Sequence, residues 1–225
     1  MFVINLSCGN TTGGNMLKDQ IVEEKLMGLI IDGHYEVNSK LEPERILAET
    51  YECSRPVIHR AIMRLEEKGL VQVRPRKGVM VLDYLIHGKL SLVEHIVAKK
   101  KDQISLSMTH NMLTFIRDNL KSVVRLYAHI DRKSYSSDLI SGLDFYDYLS
   151  DFARGCGNDL YSMLFNEFME GFINVGQVLV DKEDAKVSLR SIDQLSVDKK
   201  IVEALLQVDY FFSLIEKYWI GGLHV

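Results

Sequence analysis

Apolar positions recur with helical spacing through most of the chain, and only one short stretch breaks into strand-like alternation. Leu17, Ile21, Val22, Leu26, Leu29 and Ile30 form a stripe that predicts a helix over 17–31, stopped by Gly33. Residues 43–51 predict a short helix with Ile46, Leu47 and Tyr51 inward. After the turn Glu52-Cys53-Ser54, a second stripe of Ile58, Ala61, Ile62 and Leu65 recurs at i, i+3, i+4 and i+7. Ser54 stands where an N-cap belongs and Pro56 falls in the first turn, where a missing N–H costs little. Gly69 stands where a left-handed residue would end the helix. Leu70-Val71-Gln72-Val73 then alternates, Arg74-Pro75-Arg76-Lys77-Gly78 reads as a turn, and Val79-Met80-Val81 returns. The expected unit is helix, turn, helix and a two-stranded wing.

From Leu90 onward no proline interrupts the chain and the pattern is helical almost throughout. Helices are expected over 90–99, 103–131, 138–154, 158–180 and 195–219, with a short piece at 184–192. Gly155-Cys156-Gly157-Asn158 marks a break. The fold class is therefore mainly α: an N-terminal winged helix-turn-helix of three helices plus a two-stranded wing, followed by an all-helical bundle able to enclose a ligand. The expected division is a flexible tail at 1–15, the winged domain at 16–83, a linker at 84–89 and a ligand-binding, dimerising domain at 90–225. The tail holds Gly13-Gly14, but no P-loop lysine follows. Met16 is a candidate start.

The net charge is −4, which by itself argues against nucleic acid. Charge is local, however. Between Ser54 and Gly78, Arg55, Arg60, Arg64, Lys68, Arg74, Arg76 and Lys77 face only Glu66 and Glu67. Cys8, Cys53 and Cys156 are too scattered for a disulfide framework or a zinc site, which suits a reducing cytoplasm. No apolar run reaches membrane-spanning length, and Phe2 to Leu6 is too short for a secretory segment.

On the second helix of the unit, Val57, Arg60 and Arg64 share a face apart from the apolar stripe. A plain solvated basic face would show the same pattern. Its combination with a basic loop between two strands points instead to duplex DNA: Arg bonds the two acceptors of guanine in the major groove, an apolar side chain meets the thymine methyl, and the wing lies on backbone or minor groove. This ordered set resembles the N-terminal domain of the GntR family of bacterial transcription regulators. The matching residues are Leu41, Glu44, Arg45, Leu47, Ala48, Ser54, Arg55, Val57, Arg60, Ala61, Leu65, Gly69, Leu70 and Val71, with Gly78 and Val81 in the wing. The sequence departs where Glu42-Pro43 replaces the usual Pro-Ser, and where Pro56-Val57-Ile58-His59 replaces a run that ends Thr-Val-Arg. The resemblance implies DNA contacts from Arg45, Arg55 and Arg60 and from the wing. The expected DNA-binding set is Arg45, Ser54, Arg55, Val57, His59, Arg60, Arg76, Lys77 and Gly78.

The remainder is similar to the all-helical FCD effector domain found in many GntR proteins, in its divergent FadR-like form. The similarity rests on Val81-Leu82-Asp83-Tyr84, Gly88-Lys89-Leu90-Ser91-Leu92-Val93-Glu94, Leu143-Asp144-Phe145 and Gly157-Asn158-Asp159-Leu160-Tyr161. FCD domains bind a divalent metal through one Asp and three His. Here no His follows Asp144 four residues on, none lies between Asn158 and Leu223, and His110 and His129 are scattered. No metal and no cofactor is expected. Arg117 interrupts the apolar run of Met112, Leu113, Ile116 and Leu120; it is either an anchor for a carboxylate or phosphate or a surface arginine. Tyr210, Phe211, Phe212, Tyr218 and Trp219 form an aromatic cluster, either core or pocket wall. Met163, Phe165, Phe168, Met169 and Phe172 carry the same two readings. The candidate ligand residues are Arg117, Asp144, Tyr210 and Trp219. The expected partners are a double-stranded operator, a second copy of the chain and a small organic effector: an acyl-CoA, a fatty acid or a small carboxylic acid. No catalytic signature appears; Asp144 and Asp147, at i, i+3, suit a helix surface. An interaction scaffold whose winged domain has lost DNA is the remaining alternative.

Overall fold

The computed structural model describes residues 17–97, 106–133, 139 and 141–221. The tail, the Lys99-Lys100-Lys101-Asp102 turn and the expected helix start at 138 lie outside the described residues. The chain divides into two compact units at Lys89 and Leu90.

In the first unit, α1 (Lys18–Ile31), α2 (Glu44–Thr50) and α3 (Arg55–Glu67) precede strands β1 (Val71–Arg74) and β2 (Gly78–Val81) and a single turn, α4 (Tyr84–His87). α3 packs against both α1 and α2. The predicted stripe of Ile58, Ala61, Ile62 and Leu65 is buried, as are Leu26, Leu47 and Leu70 on the neighbouring elements. Each buried Ile or Leu side chain contributes about 1.5–3 kcal/mol on burial. The helix-turn-helix link is tight: Glu52 is left-handed at φ 48°, and the Cys53 N–H donates to the Ala48 carbonyl at 3.0 Å. Ser54 occupies the N-cap position of α3 in an extended conformation, but its side chain makes no capping bond. Gly69 closes α3 at φ 76°, where an added Cβ would strike the His87 carbonyl.

β1 and β2 are antiparallel, with Val71 opposite Val81 and Arg74 opposite Gly78. Residues 38–41 add a short third rung that the sequence does not announce. Asn38 N–H donates to the Val81 carbonyl at 2.9 Å and Leu41 N–H to that of Val79 at 3.0 Å. On the other edge, Val73 N–H donates to Glu66 Oε1 at 2.7 Å, so a side chain satisfies an edge-strand donor.

In the second unit, α5 (Ser91–Val97), α6 (Leu106–Leu126), α7 (Gly142–Arg154), α8 (Asp159–Asn166), α9 (Met169–Leu179), α10 (Glu183–Val197) and α11 (Ile201–Ile215) are followed by a π-helical turn, Glu216–Ile220. Two expected boundaries move. The single helix expected over 158–180 breaks at Glu167-Phe168, where no glycine or proline stands. The short piece at 184–192 is a full helix, α10, and α11 starts only at Ile201. Between them Lys199 takes a left-handed φ of 57° and Lys200 N–H donates to the Leu195 carbonyl at 2.9 Å, a turn usually marked by glycine.

The core is aromatic: Phe145, Phe152, Phe165, Phe211 and Tyr127 are all fully buried. α7 and α9 approach so closely that a Cβ on Gly176 would meet Phe145, and one on Gly142 would meet the Ile173 carbonyl. One buried ion pair ties the segment after α6 to α10. Arg132 donates through Nε and Nη2 to Asp193 at 2.9 and 2.7 Å, with both side chains 3% exposed. Arg132 Nη1 donates to the Tyr127 hydroxyl at 3.2 Å, which donates to the Phe152 carbonyl at 2.6 Å. The guanidinium stacks 4.1 Å from the Phe152 ring centroid.

Candidate functional site

α3 presents two different polar faces. Arg55 and His59, one turn apart, lie exposed. Among the described residues Arg55 has no ion-pair partner. His59 Nδ1 sits 2.9 Å from Glu44 Oε1 of α2, with the two side chains 58% and 38% exposed. Since a carboxylate only accepts, Nδ1 is the protonated nitrogen, and Nε2 is left for an outside partner.

The second face turns to α1. Arg60 Nε lies 3.1 Å from Asp19 Oδ2, Arg64 Nη2 3.1 Å from the same oxygen, Arg64 Nη1 3.4 Å from Glu23 Oε2, and Lys68 Nζ 3.3 Å from Glu23 Oε1. Asp19 and Glu23 are buried. Burial works to raise the Asp19 carboxyl, but the Arg60 hydrogen bond and the charges of Arg64 and Arg60 hold it below the ordinary carboxylate range.

The expectation that Arg60 and Arg64 share a face with Val57 left out their ion pairs with α1; Arg60 stays exposed and Arg64 is half-buried. A buried carboxylate stripped of its cation is costly, so these arginines are held by the fold. Arg60 pairs with Asp19 through Nε and keeps a side chain 55% exposed. Arg45 is also paired, with Glu49 at 2.7 Å, but both are well exposed and such a pair is worth only about 0–1 kcal/mol. Of the three arginines expected to point outward together, Arg55 alone does so unpaired among the described residues. The missed signal was Asp19 and Glu23 at i, i+4 within the stripe that α1 buries, opposite cations at the same spacing on α3.

Val57 is half-buried and Ser54 exposed. In the wing, Arg76, Lys77 and Gly78 are exposed, with Arg76 at φ 63° and Gly78 at φ 94°. Arg74 turns back to Gln72 at 2.8 Å.

In the second unit the four candidate ligand residues do not converge. Arg117 Nε lies 3.3 Å from Asp118 and 3.9 Å from Asp209, on the outer side of α6 and α11. Asp144 caps α7, accepting from Ser141 N–H at 2.6 Å and Ser141 Oγ at 2.9 Å, and borders a small polar pocket with Tyr148, Lys186 and Arg190. Tyr210 is half exposed. Only Trp219 lines the larger cavity, of about 60 Å³, together with Phe168 and Phe172; Met163 is exposed instead. Among the described residues no three His, Cys, Asp or Glu side chains converge, and Asp144 accepts from Ser141 at the start of α7. No described helix is long and apolar enough to cross a membrane.

Comparison with known proteins bears on both units. The family model of gntR-type bacterial regulatory proteins matches residues 18–81. The Uxu operon transcriptional regulator of Escherichia coli (strain K12) is 42% identical over 64 residues, 28% of this chain and 25% of that protein. The HTH-type transcriptional regulator Mce2R of Mycobacterium tuberculosis is 29% identical over 107 residues, 48% of this chain and 44% of that one. The matches thus span from a quarter to under half of these relatives. A solved structure of Lar, which controls the expression of the Listeria monocytogenes agr system, aligns with a TM-score of 0.57 over 94% of this chain and 99% of that one. At 15% identity that likeness is one of fold. Residues 18–81 fold as a winged helix-turn-helix and match the model of the gntR family of bacterial regulatory proteins.

Proposed function

We propose that the chain is a cytoplasmic transcription regulator that binds a pseudo-palindromic operator as a homodimer and is modulated by a small organic effector. The observation that supports DNA reading is the outer face of α3: Arg55, unpaired among the described residues, and His59, oriented by Glu44, on the helix that the family places in the major groove. Arg76 and Lys77 at the wing tip supply backbone contacts. Two recognition helices meet two half-sites, so the operator is two-fold symmetric and the protein dimeric. The effector acts through unequal affinity for the DNA-competent and incompetent states.

Selection from random duplexes tests the reading. A symmetric site should emerge, with binding that falls steeply with salt. Arg55→Ala should cost about 1–3 kcal/mol on that site and relax one position per half-site. Arg76→Ala with Lys77→Ala should weaken all duplexes alike and flatten the salt slope by about one per lost contact. Enrichment of no site, or an unchanged site in Arg55→Ala, would remove α3 as the reading element.

A further inference from the structure

We infer that the cavity between α6, α7, α9, α11 and the π turn takes a small uncharged apolar molecule, with the bulk of one aromatic ring or a short alkyl chain. This deepens the effector part of the proposed function and rests on it only for the consequence of binding, not for binding itself.

The wall chemistry sets the ligand class. Ile116, Phe145, Phe172, Val175, Ile215 and Trp219 face the space, and among the described residues no Asp, Glu, Lys, Arg or His lines it. Its side-chain polar groups are the Thr109 hydroxyl and the Trp219 indole N–H, and both residues are already engaged within the fold. A carboxylate or phosphate placed here would be buried without a partner, which is prohibitively costly. Arg117, the expected anchor, follows Ile116 directly, but its guanidinium lies with Asp118 and Asp209 instead.

The space sets the size. At about 60 Å³ the cavity is smaller than the engineered 150 Å³ apolar cavity, in another protein, that stays dry and takes benzene. Met112 in the wall is supple enough to widen it for a ring, but a long acyl chain far exceeds it. The π turn is the independent observation. Single π turns are rare and concentrate at functional sites, and this one carries Trp219, buried, into the wall.

Trp219 is the single tryptophan of the chain, so its emission reports on this wall. The experiment titrates the full-length protein, without DNA, with bromobenzene as a heavy-atom quencher. It then displaces bromobenzene with n-hexanol or with hexanoate. Saturable loss of Trp219 emission is expected, reversed by hexanol and, at matched concentration, at least roughly tenfold less readily by hexanoate because its charge cannot follow the chain inside. Val175→Phe should fill the space and abolish saturation; Ile116→Phe replaces it if that variant does not fold. Quenching that rises linearly without saturation, or that is equal in the filled variants, overturns the site. Hexanoate displacing as well as hexanol overturns the uncharged class, and the ranking on the natural chain decides that without any variant. Operator binding is measured separately, so a failed titration leaves the DNA reading standing, and a missing operator leaves saturable quenching standing.

Discussion

His59 and Arg60 are adjacent in sequence and opposite in circumstance. His59 is exposed and oriented through its Nδ1 by Glu44; Arg60 is bound to a carboxylate that is itself buried. His59→Ala and Glu44→Ala should each leave thermal stability within about 0.5 kcal/mol, as exposed polar substitutions do. On the operator they should be strongly non-additive, the double variant losing little more than His59→Ala alone. Independent, additive losses would show that Glu44 does not orient the ring. Asp19 carries a pH prediction. Its folded pKa is lowered, so the stability it contributes is present above the ordinary carboxylate value and lost as pH falls through the lowered one. Asp19→Asn should therefore flatten the acid limb of the unfolding profile. It should also strengthen binding to random DNA at low salt, by releasing Arg60 and Arg64. Tyr127 works at the other end of the scale. Burial raises its hydroxyl from 10.0 to about 12, against the pull of Arg132. The neutral form is thus favoured by the fold: that stability is whole below about 10 and lost as pH rises toward 12, a loss on the order of 2–3 kcal/mol. Alkaline unfolding followed by phenolate absorbance should show this step, and Tyr127→Phe should remove it.

Among elements, packing rather than propensity decides where residues are tolerated. Gly28 in α1 has open space around a would-be Cβ, whereas Gly176 in α9 would drive one into Phe145 and the Gly142 carbonyl. Gly28→Ala should stabilise by about 0.5–1 kcal/mol, the ordinary helical gain. Gly176→Ala should destabilise by about 1–3 kcal/mol, because α7 and α9 must part. Urea unfolding of the two variants is the check, and equal shifts would refute the close approach. The elements themselves were legible to different degrees. The stripe of Ile58, Ala61, Ile62 and Leu65 and the Gly69 stop carry local signals, so α3 and the wing follow from the pattern. The turn at Lys199 does not, because a lysine occupies the left-handed position where glycine normally signals the stop. The break at Phe168 likewise has no local marker.

At the scale of the whole molecule, the chain joins a basic α3 and wing to an acidic total charge, −4 overall. On the proposed function, a basic α3 and wing within an acidic chain would draw phosphate to that element more than to the chain as a whole. Light scattering in the presence of the selected operator should give twice the chain mass on one duplex. Footprints should show two half-sites about one helical turn apart. A single chain per duplex, with one protected half-site, would refute the dimer.

The helix-turn-helix order of the first unit, the buried stripe of α3, the wing and the resemblance to the GntR winged domain were legible in the sequence alone, because each is written in residues close together along the chain. The partners of Arg60, Arg64 and His59 were decided only by the tertiary structure. So were the scattering of Arg117, Asp144, Tyr210 and Trp219 and the uncharged lining of the cavity. These depend on which face of one helix meets which face of another, a relation between residues tens of positions apart that no local pattern encodes.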